Sequence, residues 1–393
     1  MNLSIGTITV SRIMATKNIL IITGTRADYG LLKPIIYVME KSKKFRFKLL
    51  VTGAHTLKKF GSTFKEIEKD KFPVAATVKI SEKDDMLQCL CKEIEGIRSY
   101  CIKNKPHLVL VHGDRDEAFA GAIVAGHLKI PIAHISGGDI TGPFGVDEAI
   151  RHSITKFSHL HFTINKKSYG RILKLGEERR RVFNVGALAL DNLSKIKFLN
   201  KTELAEQFDL NADKKWFLVV HHPTPLEDIS FVSQIRPLLK TVSAHNAEKI
   251  IIYPNSDTGS KVFVQEIEKY KHDKNFHIYK NLPRIQYLNF LKNVDLFIGN
   301  SSSGIGESTF FHLPTINVGS RQGARDRGTN IINCGYASKD IKKSIEKAGA
   351  RSFLEKCRKA ESIYSSRNSA TKIVKILEKE IKRPDLFFKV NNL

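Results

Sequence analysis

Carboxylates, histidines and arginines stand at the ends of apolar runs in this chain, where packing alone does not require them. "LVLVH" at 108–112 is followed by Gly113-Asp114-Arg115-Asp116-Glu117. Charge at the end of a buried strand is costly unless it serves a cleft or caps the next helix. Asp116 suits the cap, which leaves Asp114, directly after glycine, for acid–base work. A second acidic group lies in "HISGGDITGPFGVDEAIRHSI". Asp139 sits inside a glycine-rich loop, and Asp147 and Glu148 open a helical pattern with Arg151 and His152 four residues on. Capping and ion pairing account for Asp147 and Glu148 as well as catalysis does.

Groups suited to anions recur in both halves. "ILIITGTRADYGLLKPI" reads as a buried strand, a glycine turn and a helix, although the turn is not the G-x-G-x-x-G of a dinucleotide site. Arg26 at that helix start can hold phosphate oxygens by two parallel bonds, a surface pair with Asp28 being the plainer alternative. Later, "FLVVHHPTP" ends a strand in His221 and His222, and "IIYPNSDTGS" ends another at Asn255. "LFIGNSSSGIGES" brings Asn300, Ser301, Ser302 and Ser303 to a helix start that carries Glu307. Hydroxyls and N–H groups at a helix N-terminus form a diphosphate cradle, and a glutamate one turn in suits a sugar or ribose hydroxyl. "GSRQGARDRG" adds Arg321, Arg325 and Arg327. Together these residues predict a nucleotide-diphosphate substrate held in a cleft between domains.

The elements that must position them alternate strand and helix in two blocks. Apolar runs at 19–23, 47–52, 108–112, 130–135 and 159–164 suit a parallel sheet, with helical patterns at 85–103 and 116–128. The first helix carries Leu31, Leu32, Ile35, Ile36 and Met39 on one face, with Pro34 expected in its early turns. A second series runs through 216–221, 249–253, 276–279, 295–299 and 314–318. The predicted fold class is α/β, with two Rossmann-like doubly wound domains facing a cleft. The expected division is 18–192, carrying the carboxylates, 193–368, carrying the nucleotide site, and a final segment 369–393 whose helical pattern returns to the first domain.

Composition narrows the alternatives. The 393 residues are 41% hydrophobic and 26% charged, as in ordinary soluble globular chains. The net charge of +24 invites a nucleic-acid reading, but the basic residues are spread out and no nucleic-acid motif accompanies them. No apolar run approaches the roughly 20 residues a membrane span needs. Arg12 interrupts the mildly apolar N-terminus before a signal-like core forms, and Met14 is an alternative start, so a cytoplasmic location is expected. The five cysteines show no metal or disulfide spacing, and His159 and His161, alternating on one strand, lack a third ligand in register. No cofactor or metal is expected.

Taken in order, "TGTRADYGLLKPI", "VTGAH", "HGDRDE", "HISGGD", "DEAIRHSITK", "VFNVGALALDN", "HHP", "PNSDTGS", "GNSSSGIGE" and "SRQGARDRG" resemble the hydrolysing UDP-N-acetylglucosamine 2-epimerases of sialic-acid and related biosynthesis. The resemblance covers about residues 18 to 330. It implies a glycosyltransferase-B-like fold and a reaction in which UDP leaves C1 as the C2 proton is removed. Water then adds to the resulting 2-acetamidoglucal with inversion at C2, giving N-acetylmannosamine. It further implies catalytic roles for Asp114, Asp147 and His222, and diphosphate or nucleotide contacts for Arg26, Asn255, Ser301, Ser302, Glu307 and Arg321. Asp139 and Glu148 are added as catalytic candidates, and Asp28, His55, Arg115, Asn300, Ser303 and Arg327 as candidates for UDP or substrate binding. His222, if protonated, would stabilise the leaving diphosphate, and one carboxylate should occupy a dry site that raises its pKa. Some members carry a glutamate in the glycine loop where this chain has Ser136, with Asp139 the nearby acid. One branch of the family acts on UDP- or GDP-linked 2,4-diacetamido-2,4,6-trideoxy sugars, and a non-hydrolysing outcome is a further alternative. A homodimer or homotetramer is implied as well.

Overall fold

Short runs of β-branched and other apolar residues become strands, and the central strands are buried on both faces because helices cover them. The structure, a computed structural model, describes residues 16–57, 64–140, 146–191, 193, 196–254, 258–364, 368–390 and 392. The first sheet contains β1 (Lys17–Thr23), β2 (Phe45–Val51), β3 (Val74–Thr77), β4 (Leu108–His112), β5 (Ile132–Ile135), β6 (Leu160–Thr163) and β7 (Val182–Asn184). Its strand order is β3-β2-β1-β4-β5-β6-β7. The second contains β8 (Lys215–Val220), β9 (Ala247–Ile252), β10 (Phe276–Tyr279), β11 (Leu296–Gly299), β12 (Thr315–Val318) and β13 (Ile331–Cys334). Its order is β10-β9-β8-β11-β12-β13, and every pairing in both sheets is parallel.

Each order reverses once, between β1 and β4 and between β8 and β11. Such switch points open a crevice beyond the carboxyl ends of the strands, so they are where ligands bind in open α/β sheets. Gly299 shows how closely the second sheet is drawn at that point. Its φ is +144°, and a Cβ there would lie 2.0 Å from the carbonyl oxygen of Val220, so only glycine lets β11 end against β8.

The helix Arg26–Glu40 starts where the Thr25 hydroxyl accepts the Asp28 N–H at 3.2 Å. It buries Tyr29, Leu32, Ile35, Ile36 and Met39. Pro34 falls inside this helix, past the early turns where the sequence placed it, and the helix continues to Glu40. Burial of Ile35, Ile36 and Met39 beyond the proline offsets the lost backbone bond, at roughly 1.5–3 kcal/mol per side chain.

The helix Ser369–Glu380 follows the second sheet in sequence yet packs on the first. Ile373, Val374 and Leu377 join the cluster formed by Ile35, Ile36 and Leu49. Asp191 caps its start by accepting the N–H groups of Ser369 and Ala370 at 2.9 and 2.8 Å. Glu378 accepts from Ser42 and Lys44 at 2.6 and 2.9 Å. No helix among the described residues is long and apolar enough to cross a membrane.

Candidate active site

A cleft of about 230 Å³ lies where the two sheets' carboxyl ends face each other. From the first half it is lined by His112, Asp114, Ser136, Asp139 and Arg151, and from the second by Ser302, Gly306, Glu307, Arg325 and Tyr364. Leu31, Ile164, Ala187, Leu188 and Leu190 form an apolar wall.

Arg151 organises the carboxylates. Its helix, Val146–Phe157, carries it inward, where its side chain is only 3% exposed. The guanidinium donates to Asp114, to Glu148 at 2.9 Å and to the Asp139 carbonyl oxygen at 2.8 Å. Burial and the nearby Arg325 push its pKa down to about 10, so it stays charged at neutral pH. Asp139 is the carboxylate in the driest position. Burial raises its pKa, and Arg325, the Ile140 N–H and Arg171 pull it back without cancelling that effect. Arg325 donates to Asp139 at 3.0 Å from the other half of the molecule. Beside it, Arg171 and Lys167 pair with Asp326 at 3.1 and 3.0 Å, so three ion pairs join the two halves at the cleft. Asp147 is exposed at the helix start and is absent from the lining, whereas Glu148 is drawn in by Arg151 and lies 3.8 Å from His152.

The second half supplies hydroxyls and a glutamate. Asn300 is fully buried, accepting the His222 N–H at 2.7 Å and donating to the His222 carbonyl at 2.8 Å. This exchange joins the ends of β8 and β11, giving Asn300 a positioning task for His222. Ser303 bonds the Tyr287 hydroxyl, and Ser301 lies 3.4 Å from Ser303. Ser302 and Glu307 reach the cleft, and Glu307 pairs with Arg284 at 2.7 Å. The sequence led to a helix N-terminus here, but the chain forms a 3-10 turn at Ser302–Gly304 and a single turn at Glu307–Phe310. Any cradle is therefore built from loop N–H and hydroxyl groups more than from a helix dipole.

Burial, with Arg321 and His221 adding to it, lowers the His222 pKa to about 3, which favours its neutral imidazole. Arg321 donates to the Asn300 carbonyl at 3.3 Å, which keeps it next to this histidine. Arg327 bonds Asn333 and the carbonyls of Gln322 and Gly323, and so braces its own loop. Asn255 lies outside the described residues.

Other expected contacts stand behind the lining. Arg26 pairs with Glu66 at 2.8 Å, not with Asp28. Arg115 holds Glu117 at 3.1 Å, and Glu117 fills the space left by the missing side chain of Gly24. His55 is buried 3.2 Å from the Thr23 hydroxyl, with its pKa lowered by burial to about 4. Asp28 accepts from His112 at 3.0 Å and from the Gly24 N–H at 3.4 Å. His159 and His161 are engaged inside the core, His159 by the Ile132 N–H at 3.2 Å and His161 by Glu177 at 3.2 Å. No group of three His, Cys, Asp or Glu placed to hold a metal ion occurs among the described residues.

Sequence reasoning did not select His112, Ser136, Arg151 or Tyr364 as site residues, and it offered Arg325 only as one of three candidate anion-binding arginines, yet all five line the cleft. The signal for His112 was its place at a strand end, and Arg325 was one of three arginines in a single loop.

Two parallel sheets with opposed carboxyl ends, and a last helix that returns to the first unit, define a glycosyltransferase-B-like two-domain protein. Residues 38–378 match the profile of the family described as UDP-N-acetylglucosamine 2-epimerase, and the chain belongs to that family. It is 35% identical to the hydrolysing UDP-N,N'-diacetylbacillosamine 2-epimerase of Legionella pneumophila, over 81% of this chain and 85% of that one. Identity is 34% with the UDP-N-acetylglucosamine 2-epimerase of Neisseria meningitidis, over 84% of this chain and 87% of the relative. Among solved structures, the Neisseria meningitidis UDP-GlcNAc 2-epimerase bound to UDP-GlcNAc superposes with a TM-score of 0.79 at 18% identity. That match covers 92% of this chain and 100% of the other.

Proposed function

We propose that this chain is a hydrolysing 2-epimerase that converts UDP-N-acetylglucosamine to N-acetylmannosamine and UDP. The observation that carries the reading is the convergence of Asp114, Asp139 and Arg151 with Ser302 and Glu307 in one cleft. Elimination of UDP across C1 and C2 needs a base for a weakly acidic proton, and hydration with inversion needs an acid on the other face. Asp114 and Asp139 are the carboxyls to share these tasks, with Glu148 held nearby by Arg151. Asp147 serves the start of its helix unless substrate draws it inward. The departing diphosphate lies against the loop of Ser301, Ser302 and Ser303 beside Arg321 and His222, with Glu307 on a sugar or ribose hydroxyl. In this reading residues 18–192 form the catalytic domain, 193–368 the UDP domain, and 369–393 a return to the first domain. It uses no cofactor, and the protein works in the cytoplasm as a homodimer or homotetramer.

A second reading keeps the chemistry and changes the sugar. The apolar wall of Ile164, Ala187, Leu188 and Leu190 suits the methyl group of a 2,4-diacetamido-2,4,6-trideoxy sugar, and the Legionella relative is named for such a substrate. Proton and phosphorus NMR in deuterated water, with both nucleotide sugars run in parallel, tests the two together. Free UDP with C2-deuterated N-acetylmannosamine supports the first reading. Reaction of the trideoxy compound alone moves the protein to the second. Return of an epimerised nucleotide sugar without free sugar defeats the hydrolysing outcome.

A further inference from the structure

Hydration of the glucal leaves one proton without a destination. A cleft carboxyl protonates C2, but the water that adds to C1 must lose a proton as its new C–O bond forms. We propose that Ser136, His112 and Asp28 form the relay that accepts it, an inference that rests on the hydrolysing reading above.

The three residues come from neighbouring parts of the first sheet. His112 ends β4, Ser136 follows β5, and Asp28 lies in the helix after β1, the strand beside β4. His112 Nδ1 is 3.0 Å from Asp28 Oδ1, and His112 Nε2 is 3.2 Å from the Ser136 hydroxyl. A carboxylate only accepts, so Nδ1 carries the hydrogen, and Nε2 is left to accept from Ser136. The Gly24 N–H holds the other oxygen of Asp28, which fixes the chain at its far end. Ser136 and His112 line the cleft with Asp114 and Asp139, while Asp28 stands behind them. Ser136 also has a φ of +67°, unusual for a residue with a Cβ and held by its N–H to the Phe162 carbonyl at 2.9 Å.

Electrons and protons balance without a further reagent. The C1=C2 pair takes a proton at C2 from a cleft carboxyl, and water oxygen bonds to C1. The water proton passes to Ser136 Oγ as the serine proton moves to His112 Nε2, and Asp28 stabilises the imidazolium. That proton then returns through solvent to the carboxylate.

The test follows UDP, free sugar and 2-acetamidoglucal by NMR for the wild type, Ser136→Ala, His112→Gln and Asp28→Asn, using the nucleotide sugar the wild type consumes. The variants should slow free-sugar formation more than UDP release, so that glucal accumulates. Hydration of added glucal in the presence of UDP should fall by about 10²-fold in Ser136→Ala and His112→Gln. Asp28→Asn, which keeps an acceptor for Nδ1 but loses the charge, should fall between them and the wild type. Ser136→Gly removes the hydroxyl and suits the left-handed backbone, so it replaces Ser136→Ala if that variant folds poorly. Wild-type ratios of free sugar to UDP in the serine and histidine variants overturn the relay. A wild type that releases no free sugar overturns the hydrolysing reading, and the relay with it.

Discussion

Asp139 and Arg325 meet at 3.0 Å across the cleft, one from the loop after β5 and the other from the loop after β12. Their side chains are 7% and 17% exposed. A buried pair of this kind is weak evidence for stability, because desolvation offsets much of the attraction. Its stronger effect is on proton affinity: Arg325 restrains a carboxyl that burial pushes upward.

Arg325→Gln removes that restraint, so the Asp139 pKa should rise further. The limb of the kcat/KM pH profile that reports Asp139 is expected to move to higher pH by about one unit. An unmoved profile in an active variant would take Asp139 out of the rate-determining protonation.

Asp114→Asn keeps the shape of the side chain and much of its contact with Arg151. Turnover should fall by about 10²–10⁴-fold, with UDP affinity measured by calorimetry changed far less. Full turnover would remove Asp114 from the proton chemistry.

Arg151→Met leaves Asp114 and Glu148 facing each other without their shared cation. The expected loss of stability is about 3–5 kcal/mol by denaturant unfolding, since the removed charge is buried and bonded to Asp114, Glu148 and the Asp139 carbonyl. A loss below about 1 kcal/mol would mean that solvent already screens the cluster.

A separate network sets acid stability. Burial pushes the Glu177 carboxyl up, but His161, Lys156 and Lys389 outweigh it and hold the pKa down to about 2. A carboxyl depressed in the folded state contributes stability above its ordinary value near 4.5, and that contribution is lost as pH falls toward 2. Lys389→Met should cost about 1.5–3 kcal/mol at neutral pH, and acid unfolding should begin at higher pH because the Glu177 pKa rises. Coincident acid transitions for variant and wild type would contradict this.

The central strands were legible because burial on both faces makes them apolar throughout. β4 spans the residues its apolar run indicated, and β1, β5, β8 and β11 shift only at their ends. Of the edge strands, β10 falls where the sequence placed it, while β3, β7 and β13 were missed. They have three or four residues, half-covered, so neither a continuous apolar run nor an alternation develops. Asp114 and Asp139 could be read from strand ends and glycines. Arg325 could not be separated from Arg321 and Arg327, because its partner lies 186 residues away. Linking His112 to both Ser136 and Asp28 required the order of β1, β4 and β5, which one sequence does not print.

The returning C-terminal helix makes the polypeptide pass between the two halves twice, and the two passages are bonded to each other by the Ala187 N–H and the Tyr364 carbonyl at 3.0 Å. Side by side, they tie the two halves together at one place, through a backbone bond separate from the Asp139–Arg325 and Arg171–Asp326 ion pairs. The Ala187 amide should accordingly exchange its hydrogen slowly whether or not a nucleotide is bound.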